Sequence, residues 1–140
     1  MRKITVFPSA EASRAFSASS APKLSAFSLS ASTRTLEFSP ADGLDAALAS
    51  PTTEVVTAYG VEEGYEANMR KFAGLVGAEL TGANAEFHGA AVGTTVDDIS
   101  KEEGGEKGRA VSLFVGWDSR EAHMAEKEQG GEFYPFLVPT

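Results

Sequence analysis

Residues 109–117, "RAVSLFVGW", alternate so that Val111, Leu113, Val115 and Trp117 share one face of an extended segment while Ser112, Phe114 and Gly116 share the other. This predicts a strand. "TEVVTAYGV" (53–61) predicts a second, loosening at Gly60. "STRTLEFSP" (32–40) predicts a third, with Thr35 and Glu37 opposite Leu36 and Phe38. "KITVF" (3–7) reads as a short strand ended by Pro8. "AEFHGAAVGTTVDDI" (85–99), rich in glycine and β-formers, predicts a bent or bulged strand, and "SKEEGGEKG" (100–108) a solvated loop.

The period changes over residues 62–80. Tyr65, Met69, Phe72 and Val76 recur at helical spacing with Leu75 and Leu80 beside them, and Glu62, Glu63, Glu66, Arg70 and Lys71 fill the other positions. Acids lead and bases follow, as the helix dipole favours. A second helix is predicted after Trp117, with Asp118 as N-cap and Glu121 completing a capping box, running to about Gln129 and stopped by Gly130-Gly131. Near the N-terminus, Ser9 caps a helix over about 10–18 with Ala12, Ala15 and Phe16 at helical spacing. The Ser- and Ala-rich stretch that follows, interrupted by Pro22, has only Phe16, Leu24, Phe27 and Leu29 as apolar anchors. A short helical turn is predicted at 44–49 between Pro40 and Pro51, and "EFYPFLVPT" closes the chain with two prolines.

The element order predicts an α+β fold of ferredoxin-like, split βαβ halves: residues 1–50 as an N-terminal βαβ half-repeat and 51–140 as the main unit. The strand-to-helix corners "TVFPSAEAS" (5–13) and "FVGWDSREAH" (114–123) echo each other, which reads as an incomplete duplication.

Composition narrows the function classes. With 140 residues, 42% hydrophobic and 23% charged, the chain affords a core and is not a disordered tail. A net charge of −8 argues against nucleic acid and anionic membranes, which require clustered Lys and Arg. With no cysteine there is no disulfide or thiol nucleophile, and an intracellular, cytoplasmic setting is the expectation. No apolar run reaches the roughly 18 residues of a membrane span. The basic, Ser/Ala-rich first 35 residues also read as an organelle transit segment.

Only two histidines are present. His123 falls in the first turns of the last helix, where a positive charge is disfavoured, which suits a neutral general base; a surface helix histidine is the plainer alternative. His88 points opposite Phe87: if Phe87 packs under a helix, His88 faces the barrel interior, and in the reverse arrangement it is a solvated residue. Trp117 reads first as a core plug and second as a stacking wall for a flat ligand. Tyr59 at its strand end, and Tyr65 and Asn68 on the adjoining helix, are candidates for polar contacts, with Phe72 and Phe114 as apolar lining. His123-x-x-Glu126 has weak metal spacing, and no phosphate loop, dinucleotide fingerprint or nucleophile elbow occurs. Neither a metal nor a cofactor is expected.

"SLFVGWDSREAHMAEKEQGGEFYPFL" resembles the closing strand and helix of the dimeric α/β-barrel superfamily, in particular its antibiotic-biosynthesis-monooxygenase-like branch and related fungal proteins. The matching residues are Trp117, Asp118, Ser119, Glu121, Ala122 and His123. "EVVTAYGVEEGYEANMRKFAGLV" is similar to the family's opening strand and helix. The chain departs from the pattern in three places: Glu126, Lys127 and Glu128 replace apolar residues, no closing strand is evident, and "EVVTAYGV" lacks the Asn of haem-degrading relatives. "TRTLEFS" is the expected substitute for that closing strand, in the same chain or across a dimer.

The resemblance implies a homodimeric barrel with an apolar cavity between sheet and helices. It further implies cofactor-free oxygenation, or cyclisation and isomerisation, of a small flat polyketide-like or aromatic molecule. His123 would be the base, Tyr59 or His88 the enolate stabiliser and Trp117 the wall. The alternative is a stress-associated or ligand-carrying protein without chemistry.

Overall fold

Four strands form one antiparallel sheet in a computed structural model that describes residues 4–26, 34–80 and 84–128. In chain order the elements are α1 (Ala10–Ala26), β1 (Leu36–Ser39), α2 (Ala41–Ala49), β2 (Thr52–Ala58), α3 (Tyr65–Leu80), β3 (Phe87–Thr95), β4 (Val111–Trp117) and α4 (Arg120–Glu128). The sheet order is β1-β3-β4-β2. Because β4 lies antiparallel between β2 and β3, those two run the same way with α3 crossing between them. This is a split βαβ unit, and the whole is an α+β fold compatible with the ferredoxin-like plan.

β4 is the centre of the core because both of its faces are covered. Val111, Leu113, Val115 and Trp117 join Met69 and Ala73 of α3 and Phe87 and Val92 of β3. On the other face Phe114 packs with Ala91, Leu44 and Ala47, and with the half-buried Phe38. The alternation read from the sequence thus separates two cores, one under α3 and one under α2. Along α3, Tyr65 and Phe72 are half-buried against the first core, whereas Leu75 is half exposed and off the stripe. The side chains of Val76 and Leu80 lie outside the described set.

α2 approaches the sheet closely because glycines remove the atoms that would block it. A Cβ on Gly43 would stand 2.2 Å from the Ala90 carbonyl oxygen, and one on Gly116 2.8 Å from the Ala47 Cα. This face, which face-to-face closure of two sheets would use, carries α2 over β3 and β4.

The expectations for the first half are corrected in several places. Residues 4–7 form no strand, and Ile4 and Val6 are half exposed, so the duplicated corner is not a second strand-to-helix unit. Lys3 lies outside the described residues. The helix cap is as expected, with the Ala12 N–H donating to Ser9 Oγ at 3.1 Å, but α1 runs on through Pro22 to Ala26. Residues 36–49 build no separate half either: β1 pairs with β3, Leu36 opposite Thr95 through Ser39 opposite Val92, and α2 packs on the same sheet. A ferredoxin-like closing strand sits beside the first strand of the unit, here β2. Within the chain β1 lies at the opposite edge and does not replace it. The expected segment "EFYPFLVPT" and the Gly130-Gly131 stop lie outside the described residues.

The bulge expected in 85–99 is present, with a register shift between Phe87 and Gly89 opposite Trp117 and Gly116. The 100–108 loop is closed at its base by reciprocal backbone bonds between Ile99 and Gly108.

Candidate functional site

The junction after β4 builds the site. Asp118 still belongs to the sheet end, its N–H donating to the Glu86 carbonyl at 2.8 Å. The N-cap is therefore one residue later than the sequence suggests: Ser119 Oγ accepts from the Ala122 N–H at 3.0 Å, and the Ser119 carbonyl accepts from His123 N–H at 3.3 Å. The capping box through Asp118 and Glu121 does not form, because the Asp118 carboxylate is taken by His88.

With α4 started at this register, the His123 ring turns inward. Its Nε2 lies 3.2 Å from Oε1 of Glu54, and the two side chains are only 15% and 16% exposed. Its ring centroid is 5.6 Å from that of Trp117. Glu54 is brought there by strand alternation: it pairs with Val115, so it shares the α3-side face with Trp117 and Val56. A carboxylate on Nε2 fixes the ring's orientation and, when the ring is neutral, assigns that nitrogen the proton and Nδ1 the acceptor role.

Of the other predicted site residues, Trp117 lies beside His123, while Tyr59 and Phe114 lie elsewhere. Trp117 is 2% exposed, packed edge-on against Phe87 with centroids 5.8 Å apart, so it is the core plug and offers no stacking face to a ligand. Its indole Nε1–H is buried with no acceptor among the described residues. Tyr59 follows the far end of β2, five residues from Glu54, or roughly 16 Å along a strand. There it accepts a hydrogen bond from Arg34, whose guanidinium also lies 5.1 Å from the ring centroid. It does not partner His123. Phe87 packs in the core under α3, yet His88 faces no barrel interior: at the bulge between Phe87 and Gly89 it stands at the surface, hydrogen-bonded to the half-exposed Asp118. Phe114 belongs to the α2 face and Asn68 is exposed, while Tyr65 and Phe72 pack in the α3 core.

A second polar cluster was not anticipated. Arg70 of α3 reaches over the sheet edge: Nε and Nη2 donate to Glu66 Oε1 at 3.1 and 3.0 Å, and Nη1 donates to the Val92 carbonyl at 3.0 Å and to Ser39 Oγ. Partial burial pushes the Glu66 carboxyl up, but hydrogen bonds from Arg70 and Thr94 and the charges of Arg70 and Arg109 outweigh it and leave it below its ordinary value. Beside this cluster lies a cavity of about 440 Å³ between α3 and β3, lined by Ser39, Pro40, Arg70, Ala73, Gly74, Gly77, Ala90 and Val92. An apolar cavity between sheet and helix was expected; its position away from His123 was not.

Two residues escaped the sequence reading, Glu54 and Arg70. Glu54 carried a readable signal, an acid on the same alternating face as Val56 and Ala58, but nothing local says which face is inward. Arg70 falls among the helix positions off the apolar stripe, and its reach to Ser39 and Val92 depends on strand order. Among the described residues no three His, Asp or Glu side chains are grouped to hold a metal ion, and no helix is long and apolar enough to cross a membrane.

Fold and site together define the class only as an α+β domain with a four-stranded antiparallel sheet and a half-buried histidine–carboxylate pair. No protein-family model, curated protein or solved structure matches this chain.

Proposed function

We propose that the protein is a cofactor-independent enzyme of specialised metabolism that performs histidine acid–base chemistry on a small flat polyketide-like or aromatic molecule. The observation that carries this reading is the 3.2 Å approach of His123 Nε2 to Glu54 Oε1 beside the buried Trp117. His123 abstracts a proton from an enol or phenol, a step in which a positioned base is worth about 10²–10⁴ in rate. Glu54 holds the ring and stabilises the imidazolium that forms. Oxygenation and cyclisation or isomerisation both begin with this step.

The resemblance read from the sequence is in keeping with this reading, and we extend it to a homodimer that forms at the β2 edge and not through the sheet face that α2 covers. β2 is the last strand at its edge among the described residues, and Val55 on it is 41% exposed, so a second copy has a strand edge and an apolar residue to cover. Light scattering tests this directly: a dimer scatters as twice 14.7 kDa.

A second reading, a ligand-binding protein without chemistry, is favoured by one observation. The cavity beside Arg70 shares no lining residue with the His123–Glu54 pair. Mass spectrometry of protein incubated in air with anthrones and other aromatic polyketides, beside His123→Ala, separates the two. Products that gain oxygen, lose water or rearrange with wild type alone support the enzyme; equal turnover by His123→Ala removes it.

A further inference from the structure

α3 carries glycine at positions 74 and 77, and packing among the described residues requires neither. A Cβ at either position would meet no described atom within 4 Å, and neither has the positive φ that favours glycine. Glycine weakens a helix interior, so two of them in one helix facing open space call for a reason outside the packing of the described chain. Both line the cavity beside Arg70, whose floor is the small apolar surface of Ala73, Ala90 and Val92. At about 440 Å³ it falls within the range of small-molecule sites.

The polar end of the cavity specifies what it takes. All five N–H groups of Arg70 face acceptors in the protein: Glu66, Thr94, Ser39 and the Val92 carbonyl. Its charge is matched by Glu66 at 3.0 Å. Arg70 therefore has nothing left for a ligand anion. Ser39 Oγ, however, accepts from Arg70 and keeps its own proton, for which the described residues supply no acceptor. A hydroxyl that accepts a charge-assisted hydrogen bond is a strengthened donor.

We infer that this cavity binds a neutral, flat, apolar molecule through one acceptor oxygen, with the ring over Gly74, Gly77 and Ala90 and the oxygen on the Ser39 hydroxyl. The inference takes from the proposed function only that the protein handles a small flat molecule; turnover at His123 is not required.

The test uses the full chain and three probes: 9-fluorenone, fluorene without the carbonyl, and fluorenone-4-carboxylate. Fluorenone is expected to bind wild type, with its carbonyl stretch moved to lower wavenumber by the hydrogen bond. Gly77→Leu, which adds a good helix former and fills the cavity, is expected to raise the fluorenone Kd tenfold or more while the protein keeps its circular dichroism spectrum. Gly74→Leu is the second such variant, should Gly77→Leu lose that spectrum. Ser39→Ala is expected to weaken fluorenone several-fold, abolish the carbonyl shift and leave fluorene unchanged. Unaltered fluorenone binding by His123→Ala keeps this result separate from the fate of the enzyme reading. The inference is overturned if wild type binds no fluorenone, if a folded leucine variant binds it as wild type does, or if the shift survives in Ser39→Ala. Tighter binding of the carboxylate than of fluorenone would also overturn it, because Arg70 would then be the contact.

Discussion

His123 Nε2 stands 3.2 Å from Glu54 Oε1, tying the first turn of α4 to strand β2. Two groups that act as one unit give non-additive losses. His123→Ala and Glu54→Gln are therefore each expected to reduce turnover, and the double variant to be little worse than His123→Ala alone. Stability should show the same coupling, about 0.5–3 kcal/mol in a urea double-mutant cycle. Additive effects in both assays would mean that the two side chains are neighbours without a joint role.

Trp117 is the chain's only tryptophan and is 2% exposed. Its fluorescence should resist acrylamide in the native protein and become quenchable on unfolding. Trp117→Ala should cost about 3–5 kcal/mol, as a buried aromatic does when truncated. If acrylamide quenches the native protein as readily as the unfolded one, the indole lines an open pocket and the stacking role returns.

Glu66 titrates below its ordinary value of 4.5 in the folded protein, held there by Arg70 and Thr94 against the opposing effect of burial. A carboxyl lowered on folding adds stability that is complete above the unfolded value and fades as pH falls through the folded one. Glu66→Gln should therefore lower the urea midpoint at pH 7 and leave little difference from wild type at pH 3. Both side chains are about one-third exposed, so the difference should be small and shrink in 1 M salt. A difference that persists at pH 3 would assign the contribution to packing.

What could be read from the sequence divides along the line between local and non-local causes. The two faces of β4 were legible because alternation is a property of the strand itself, and Met69 because helical spacing is a property of the helix. Glu54 was not, since its inward face depends on β2 pairing with β4 in a given register. The failed strand at 4–7 has the same origin: "KITVF" has the composition of a strand, but a strand needs a partner, and residues 4–7 pair with none of the described strands. Trp117 and His123 were correctly seen as neighbours of one corner. Their roles diverged because α4 starts at Arg120, which turns His123 toward Glu54 and seals Trp117 beneath it.

That starting register predicts which residue caps the helix. Ser119 Oγ satisfies the Ala122 N–H, so Ser119→Ala should cost about 1 kcal/mol and loosen the His123 turn. Asp118→Asn should cost less, because its hydrogen bond to His88 is at the surface and its backbone bond to Glu86 is retained. The reverse order in chemical denaturation would restore Asp118 as the cap.

Two glycines to alanine should move stability in opposite directions. At Gly116 the added Cβ would lie 2.2 Å from Ser50 Oγ and 2.8 Å from the Ala47 Cα, and the backbone of α2 has to shift to admit it. Overpacking of this kind costs about 1–3 kcal/mol. At Gly74 the Cβ meets nothing within 4 Å and the residue is an exposed part of α3. There alanine should stabilise by about 0.5–1 kcal/mol through helix propensity alone. Thermal melts of the two variants beside wild type check both signs at once. A neutral Gly116→Ala would mean that α2 sits farther from the sheet than 2.8 Å allows, and the second core would lose its basis.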